Sequence, residues 1–302
     1  MSDLKQGAAY VDGQIRPIHD AKISLLDWGF LHSDATYDVV HVWQGRFFRL
    51  DDHLDRFYAG MDKLRMTLSV SRGELKKLLN DCVSATGLQD AYVEMICTRG
   101  QPQPGSRDPR TCENKLFAFA IPFVWVATPE QQEKGLSMII SHQQRIPPAS
   151  LDPTIKNYHW LDLVMGQFEA FDNNAQTAVV VDGEGNVVEG PGFNIFVVKG
   201  AQVATPKVGV LRGITRKTAI ELTTELKLES EQRAISVKEV LNADEVFITS
   251  TAGGVMAVTE IDGLPVGKGP RAGKSGPITH QFKQAYWALH DESSYNTPVR
   301  YK

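Results

Sequence analysis

A change in hydrophobic period near Asp51 sets the strongest limit on what this chain can fold into. Residues 37–50 form two apolar strand segments around a Gln-Gly turn, as in a β-hairpin. Directly afterwards, apolar residues over Leu54–Leu64 recur every three or four positions, which is the period of an amphipathic helix. A second helix is predicted at 71–86, where the first residues have capping-box spacing. The first part of the chain therefore predicts an α+β domain, with further strands at 91–98 and 115–121.

The second part of the chain returns to a mixture of strands and helices after a connecting segment. Strands are predicted at 136–141, 177–181, 194–198 and 244–249. Helices are predicted at 161–171, at 213–226 and from about Pro277. The length and this order predict two domains, an N-terminal α+β domain at 1–121 and a C-terminal domain at 136–302, joined by a linker at 122–135.

The composition is that of a soluble globular protein and excludes several classes of partner. Hydrophobic residues make up 42% and charged residues 23% of the 302 residues, and the net charge is −4. This charge gives no general attraction to nucleic acid or to an anionic membrane, and no apolar run approaches the roughly 20 residues of a membrane span. The three cysteines and the lack of a secretory signal predict reduced thiols in the cytoplasm. The eight histidines show no metal-binding spacing, so no metal site is predicted.

Lys156 is the first candidate for chemistry because it lies among apolar and aromatic residues in the segment Asp152–Leu163. A free lysine amine has a pKa of about 10.4 and is a poor nucleophile in its charged form. Burial disfavours the charge and exposes the lone pair, which can then attack a carbonyl to form a Schiff base. Taken alone, the segment favours the alternative, a surface lysine whose stem lies along aromatic side chains.

Three further segments supply partners for such a lysine. Glu189 stands between an apolar strand and a glycine-rich turn, where a carboxylate can keep a pyridine nitrogen protonated. Gly213–Thr215 lies at a predicted helix start, whose free N–H groups and dipole attract an anion. Ser250–Gly254 offers hydroxyls and further amides for a phosphate. A solvent-facing turn acid or ordinary capping explains each one separately, but their combination with Lys156 is much harder to explain without chemistry.

One segment imitates a nucleotide-binding loop. Gly267–Ser275 resembles a P-loop, but that motif requires four residues between its glycines. Here five residues separate Gly267 from Gly273, and three separate Gly269 from Gly273. We therefore predict a Gly/Lys loop before the C-terminal helix. A non-catalytic or nucleotide-binding protein is the alternative from another functional class.

Six separated motifs resemble those of the fold-type IV pyridoxal phosphate aminotransferases. They are Leu31–Val39, Phe48–Arg56, Asp152–Asn157, Glu189–Asn194, Gly213–Lys217 and Thr251–Gly254. The resemblance covers nearly the whole chain, and the ending Tyr286–His290 resembles the (R)-selective amine transaminases. It implies a two-domain α+β fold: a smaller N-terminal domain, a larger C-terminal domain with a β-barrel-like core, and an active site between them. It also implies a homodimer.

The resemblance further implies roles in holding the cofactor, pyridoxal 5′-phosphate, which passes through pyridoxamine 5′-phosphate. Lys156 is implied to form the Schiff base and to move the substrate proton, and Glu189 to pair with the pyridine nitrogen. The other implied contacts are Arg56, Ile214, Thr215 and Thr251 at the phosphate, and Phe193, Asn194 and Leu211 at the ring. Without the resemblance, Arg56 is interpreted as an exposed side chain that pairs with Asp52, four residues earlier on the same predicted helix.

The implied substrate pocket distinguishes classes within the family. Its positions are His32, Tyr37, Val39, Tyr92, Glu94, Trp160 and Ala252. Alternation places Tyr92 and Glu94 on one face of a strand, where an acid repels a substrate carboxylate and aromatics suit an aryl or alkyl group. D-amino-acid transaminases that resemble this family carry Arg-x-His there. For Glu94 the alternative is a solvent-facing strand residue.

A keto acid must also bind, and Arg107 resembles the mobile arginine that receives it in these enzymes. Arg99 and Arg110 are nearby alternatives, and an arginine exposed to solvent is another interpretation of Arg107. The resulting prediction is an (R)-selective amine:pyruvate transaminase. A D-amino-acid or branched-chain amino-acid aminotransferase is the alternative within the family.

Overall fold

Strands and helices alternate along residues 6–302, the part of the chain described by the computed structural model. The helices are α1 (Trp28–Leu31), α2 (Leu50–Lys63), α3 (Arg72–Thr86), α4 (Pro129–Lys134), α5 (Leu161–Asp172), α6 (Ile214–Glu225), α7 (Val237–Leu241) and α8 (Pro277–Ala288). The strands are β1 (Ala8–Val11), β2 (Gln14–Pro17), β3 (Ala35–Trp43), β4 (Arg46–Phe48), β5 (Ala91–Thr98), β6 (Lys115–Pro122), β7 (Leu136–Gln144), β8 (Thr177–Val181), β9 (Glu189–Gly190), β10 (Phe193–Lys199), β11 (Gln202–Pro206), β12 (Glu229–Arg233), β13 (Glu245–Ser250), β14 (Gly254–Ile261), β15 (Leu264–Pro265) and β16 (Asn296–Pro298). None of the described helices is both long and apolar enough to cross a membrane.

These elements form two compact units. The first contains residues 6–124, Ile155–His159 and Glu292–Lys302, and the second contains Trp125–Thr154 and Trp160–Asp291. Two short segments of the predicted 136–302 domain thus group with the first unit. The segment Glu292–Lys302 does so because its strand β16 pairs with β4. The segment Ile155–His159 does so because the Tyr37 N–H donates to the Lys156 carbonyl oxygen at 3.0 Å.

The sheet of the first unit separates a core face from a face with polar and aromatic side chains. Its described strands are ordered β16-β4-β3-β5-β6-β1-β2. Antiparallel pairing puts Val40 of β3 opposite Val93 of β5, and Val39 opposite Glu94. Side chains alternate across a strand, so these two pairs point to opposite faces. Val40 and Val93 pack with α2 and α3 in the hydrophobic core, which leaves Val39 and Glu94 on the other face.

The long helices of this unit begin and end as their sequences predict. Ser71 Oγ accepts the Glu74 N–H, and the Glu74 carboxylate accepts the Ser71 N–H at 2.7 Å, so the predicted capping box forms. Gly87 ends α3 with a φ of 72°, in the left-handed region that favours glycine. In α2, Leu54 and Phe57 lie in the core, as the helical period predicts.

The second unit is built on a mixed sheet whose described strands are ordered β12-β11-β10-β13-β14-β7-β8, with β15 beside β14 and β9 beside β10. β7 pairs in parallel with β8 and β14, whereas β10, β13 and β14 pair antiparallel. Ile195 of β10 lies opposite Ile248 of β13, and both are buried in the core. The predicted linker contains α4, which a capping box of Thr128 and Gln131 opens. α8 begins at Pro277, as predicted.

Candidate active site

Lys156 is held against the sheet of the first unit by its backbone and by its amine. Its carbonyl oxygen accepts the Tyr37 N–H at 3.0 Å and the Thr36 hydroxyl at 2.9 Å. Its Nζ lies 4.4 Å from the centroid of the Tyr37 ring, a cation–π contact worth about 0.5–1 kcal/mol at exposed sites and more when desolvated. The Asn157 side chain donates to the Ile155 carbonyl oxygen at 2.8 Å and closes the local turn. The amine therefore lies over an aromatic ring.

Glu94 is buried close to this lysine and binds tyrosine hydroxyls. The side chain is on β5, and the residue is only 8% exposed. Its Oε1 accepts the Tyr158 hydroxyl at 2.7 Å, and its Oε2 lies 3.4 Å from the Tyr92 hydroxyl. Burial raises the pKa of Glu94, although the Tyr158 bond and the Lys156 charge act in the opposite direction. Burial, reinforced by Glu94, raises the pKa of both tyrosines, so both hydroxyls keep their protons and donate.

Arg56 belongs to a buried charge cluster in the first unit. Its Nε and Nη2 donate to Asp38 Oδ2 and Oδ1 at 2.7 and 2.8 Å. His53 Nδ1 lies 2.7 Å from Asp38 Oδ1. Burial would raise the pKa of Asp38, but Arg56 and His53 together hold that pKa well below its usual range. Burial lowers the pKa of His53 despite its Asp38 partner. The cluster fixes the Arg56 guanidinium from one side.

Glu189 is the centre of a second buried cluster, in the second unit. The β9–β10 pairing places Glu189 opposite Asn194. Its Oε1 accepts from Arg145 Nε at 3.2 Å, and its Oε2 accepts the Leu211 N–H at 2.9 Å. Arg145 also donates to Asp162 Oδ2 at 2.7 Å. Burial lowers the pKa of Arg145, but the two carboxylates more than offset this and raise it. Glu189 is thus a buried carboxylate held in place by several donors, and a carboxylate suits a protonated nitrogen.

The start of α6 is a free helix end close to Asn194. Gly213 is the N-cap residue, and no described side chain caps the N–H groups of the first turn. An uncapped amino end of a 12-residue helix favours an anion. A Cβ on Gly213 would lie 2.2 Å from Asn194 Oδ1, so the close approach requires glycine. The buried Thr215 follows in the first turn. The helix end therefore has the donors that a phosphate requires.

The turn between β13 and β14 carries Thr251 and Ala252. The Ala252 N–H donates to Ser250 Oγ at 3.2 Å, and the Ala252 carbonyl oxygen accepts the Val126 N–H at 2.7 Å. The Ser250 hydroxyl in turn donates to the Gly192 carbonyl oxygen at 2.8 Å. This turn is thus tied to the glycine turn that follows Glu189.

Comparisons with known proteins agree on one family. The sequence profile described as Amino-transferase class IV matches residues 35–261. The chain is 31% identical over 277 residues to the D-alanine aminotransferase of Bacillus licheniformis, and the match covers 91% of this chain and 94% of that protein. The chain belongs to the class IV aminotransferases. This membership confirms the predicted enzyme class, a pyridoxal-phosphate-dependent aminotransferase, and the two-domain fold type.

Two branched-chain aminotransferases resemble this class IV aminotransferase over nearly the whole chain. The enzyme of Pseudomonas aeruginosa is 29% identical over 296 residues, which cover 94% of this chain and 93% of the relative. The crystal structure of the Thermobaculum terrenum enzyme in its PLP-bound holo-form matches with a TM-score of 0.83 at 26% identity, over 97% of this chain and 98% of that one. The comparisons do not distinguish an (R)-amine transaminase from these amino-acid enzymes.

The predicted site residues of this aminotransferase fall into three groups. The first unit contains Tyr37, Val39, Arg56, Tyr92, Glu94 and Lys156. The second unit contains Trp160, Glu189, Phe193, Asn194, Leu211, Ile214, Thr215, Thr251 and Ala252. His32 and Arg107 are exposed on loops.

Residues 6–302 include no group of three or more His, Cys, Asp or Glu side chains that could hold a metal ion.

Arg107 differs from the two other arginines considered for the keto acid. Arg99 donates to Asp34 at 2.8 and 3.0 Å and to the Leu64 carbonyl oxygen at 2.7 Å. Arg110 is bound to the carboxylate of Asp108. Arg107 is exposed and makes no ion pair with any residue that the structure describes. Of the three, it is the one whose guanidinium is not bound to a carboxylate of the described residues.

Several side chains that were not predicted from the sequence support the predicted residues: Asp38, His53, Arg145, Tyr158 and Asp162. A signal existed for Asp38, because alternation along β3 places this acid on the same face as Val40, in the core, where a charge needs a buried partner. Tyr158 follows two residues after Lys156, but only the folded chain brings it to Glu94. Arg145 has no local signal, since its partners lie 17 and 44 residues away.

Proposed function

We propose that this aminotransferase transfers the amino group of a primary (R)-amine to a keto acid such as pyruvate. Glu94 carries the proposal. It is a buried carboxyl group in the same unit as Lys156, held by the hydroxyls of Tyr158 and Tyr92. In either protonation state it lacks the positive charge that would bind a substrate carboxylate. The preference for the (R)-enantiomer rests on the resemblance to (R)-selective amine transaminases.

Pyridoxal 5′-phosphate is the cofactor, and the chain's own groups fit it. The buried Glu189 carboxylate suits the protonated nitrogen of its ring, and the uncapped start of α6 suits its phosphate. We propose Arg56, Ile214, Thr215 and Thr251 as phosphate contacts, and Phe193, Asn194 and Leu211 as ring contacts. When bound, the cofactor supplies a conjugated ring that delocalises the negative charge left on the amine-bearing carbon.

The protein residues then have separate tasks. Lys156 Nζ holds the cofactor and afterwards takes the proton from the amine-bearing carbon of the substrate and delivers it to the C4′ carbon of the cofactor. Glu189 keeps the proton on the ring nitrogen, and Arg145 holds Glu189 in place at 3.2 Å. In the second half-reaction, Arg107 binds the carboxylate of the keto acid. Its exposed position and lack of an ion pair among described residues support this role.

We also propose a cytoplasmic homodimer. Along one face of α5, Leu161, Met165 and Phe168 are 80%, 50% and 58% exposed, and apolar patches of this kind mark interaction surfaces. All three cysteines are free, two of them buried, as expected in a reducing compartment. Sedimentation velocity of the purified protein tests the assembly, and a monomer at micromolar concentration would contradict it.

The test of the proposed reaction is turnover with two mirror-image amines. The purified enzyme is incubated with pyruvate and either (R)- or (S)-1-phenylethylamine, and acetophenone is measured. We expect acetophenone from the (R)-amine alone. Equal rates, or none with the (R)-amine, would reject the proposal.

A second candidate is transamination of D-amino acids or branched-chain amino acids, which the named activities of the relatives favour. Turnover of D-alanine or L-leucine far above that of any simple amine would establish it in place of the first.

A further inference from the structure

Tyr158 contacts two residues of the first unit that are distant in the sequence, Glu94 and Tyr37. Its hydroxyl donates to Glu94 Oε1 at 2.7 Å. Its ring stacks on the Tyr37 ring, with centroids 4.3 Å apart and planes at 12°. A side chain fixed at its tip by a hydrogen bond and along its face by stacking has little freedom left. The position of the Tyr37 ring therefore depends on Tyr158, and that of Tyr158 on Glu94.

Tyr37 in turn is the ring over which the amine of Lys156 lies, at 4.4 Å from the centroid. The backbones of the two residues are also joined, since the Tyr37 N–H donates to the Lys156 carbonyl oxygen. The backbone hydrogen bond fixes the position of the Lys156 backbone, and the Tyr37 ring fixes the position of the amine at the end of the side chain. Four side chains thus form a continuous series of contacts from Glu94 through Tyr158 and Tyr37 to Lys156.

Glu94, the first residue of this series, is held firmly in place. It is on β5 at the centre of the sheet, paired in register with Val39, and is nearly completely buried. Both of its carboxyl oxygens face a tyrosine hydroxyl, at 2.7 Å for Tyr158 and 3.4 Å for Tyr92. Only the Tyr158 bond is short, so this bond dominates.

We propose that Glu94 and Tyr158 are positioning residues for Lys156, acting through the ring of Tyr37. The inference rests on the proposed role of Lys156 as the catalytic amine. It gives Glu94 a task in every turnover, in addition to excluding a substrate carboxylate, and it gives Tyr158 a function.

The test measures the amine itself, in the full-length chain freed of cofactor. A brief pulse of acetic anhydride acetylates free amines, and mass spectrometry gives the rate at Lys156 relative to the exposed Lys207. In Tyr158→Phe and in Glu94→Ala, we expect this ratio to rise about two- to fivefold, the range that corresponds to loss of a cation–π contact. Glu94→Gln removes the carboxylate charge near Lys156, as Glu94→Ala does, but keeps an acceptor for Tyr158; its ratio should be near that of the wild type if the position of Tyr158 decides the effect.

Tyr92→Phe is the matched control. It removes the other hydroxyl facing Glu94, whose 3.4 Å contact is too long to hold the carboxylate firmly, and the Tyr92 ring stacks on Phe119 with centroids 6.3 Å apart. We expect its labelling ratio to stay at the wild-type value. In the cofactor-loaded enzyme, Tyr158→Phe should lower kcat with little change in KM for the amine, because the amine of Lys156 is misplaced while substrate binding is retained. Circular dichroism verifies that each variant is folded.

The outcomes separate this inference from the proposed function. Unchanged Lys156 labelling in folded Tyr158→Phe and Glu94→Ala would overturn the positioning role, even if the wild type makes acetophenone. An equal rise in Tyr92→Phe would also overturn it, since the effect would then not depend on the hydrogen bond between Tyr158 and Glu94. If labelling changes as expected but no (R)-amine is converted, the positioning role stands and the proposed substrate is wrong.

Discussion

Arg145 Nε lies 3.2 Å from Glu189 Oε1, and both side chains are less than a tenth exposed. Asp162 holds the other end of the same guanidinium, at 2.7 Å from Nη1, and is equally buried. One cation therefore serves two buried carboxylates, one of which is the residue expected to hold the ring nitrogen of the cofactor. The position of Glu189 depends on an arginine 44 residues away in the sequence.

Replacing this arginine should destabilise the fold strongly. We expect Arg145→Gln to lower the free energy of unfolding by about 3–5 kcal/mol, because two buried carboxylates lose their cation. Urea denaturation at neutral pH measures this. The control is Lys199→Gln, which removes an exposed partner of Asp244 and should cost about 1 kcal/mol or less. Similar losses in the two variants would contradict the account of the cluster.

Asp38 should make the stability of the protein depend on acidic pH. Its pKa in the folded chain is far below the ordinary value of 3.8. Its charged form therefore stabilises the fold above that ordinary value, and this stabilisation disappears as the pH falls through the folded pKa. In a His53→Gln background, which removes the other titrating partner of Asp38, we expect the free-energy gap between Asp38 and Asp38→Asn to be constant from about pH 7 to 5 and to shrink below about pH 4. A gap that is constant down to about pH 2 would contradict the pairing with Arg56.

Gly213→Ala should weaken cofactor binding. The added Cβ would lie 2.2 Å from Asn194 Oδ1, and Asn194 can only move away by stretching its 3.0 Å bond to the Leu211 carbonyl oxygen. We expect the Kd for pyridoxal 5′-phosphate to rise at least about fivefold, since overpacking costs about 1–3 kcal/mol. Fluorescence titration of the cofactor-free protein gives the Kd.

Gly73→Ala is the control for that substitution. No atom lies within 4 Å of a Cβ built there, on α3. Its Kd should be unchanged, because the substitution lies in the first turn of α3 and meets no other atom. An unchanged Kd in Gly213→Ala would show that the start of α6 does not contact the cofactor.

Arg107→Ala should impair only the half-reaction that uses the keto acid. Loss of a hydrogen bond to a charged group costs about 1.5–3 kcal/mol, so the KM for pyruvate should rise about 10- to 100-fold. The rate of the amine half-reaction, followed in a single turnover, should stay the same. Arg110→Ala is the matched control, because Arg110 is already bound to Asp108. Equal effects of the two substitutions would contradict the assignment.

Local patterns predicted the elements that bury an apolar face. The helices around Leu54 and Ser71, and the strands from β3 to β6, follow directly from period and capping. β12 could not be found in this way, because the edge strand Glu229–Arg233 is polar throughout and almost entirely exposed. β16 is defined by its pairing with β4, some 250 residues earlier in the chain, and no local pattern contains that information.

In the candidate site, too, some residues are predicted by the local sequence and others are not. Lys156 and Glu189 could be found because each stands in an unusual sequence environment. Their supporting partners depend on contacts between distant segments: Tyr158 reaches Glu94 across 64 residues, and Arg145 joins Asp162 to Glu189. Such partners obey general rules of burial and charge, but the fold decides which residues satisfy them.

The most direct test of the central claim is a single turnover without any keto acid. Cofactor-loaded protein is mixed with one enantiomer of 1-phenylethylamine, and the visible absorbance of the bound cofactor and the acetophenone released are followed together. We expect the (R)-amine to abolish the visible band and to release one acetophenone per site, while the (S)-amine and the Lys156→Ala variant give neither change. Equal conversion of the (S)-amine, or conversion by Lys156→Ala, would contradict the assignment of this protein as an (R)-amine transaminase acting through Lys156.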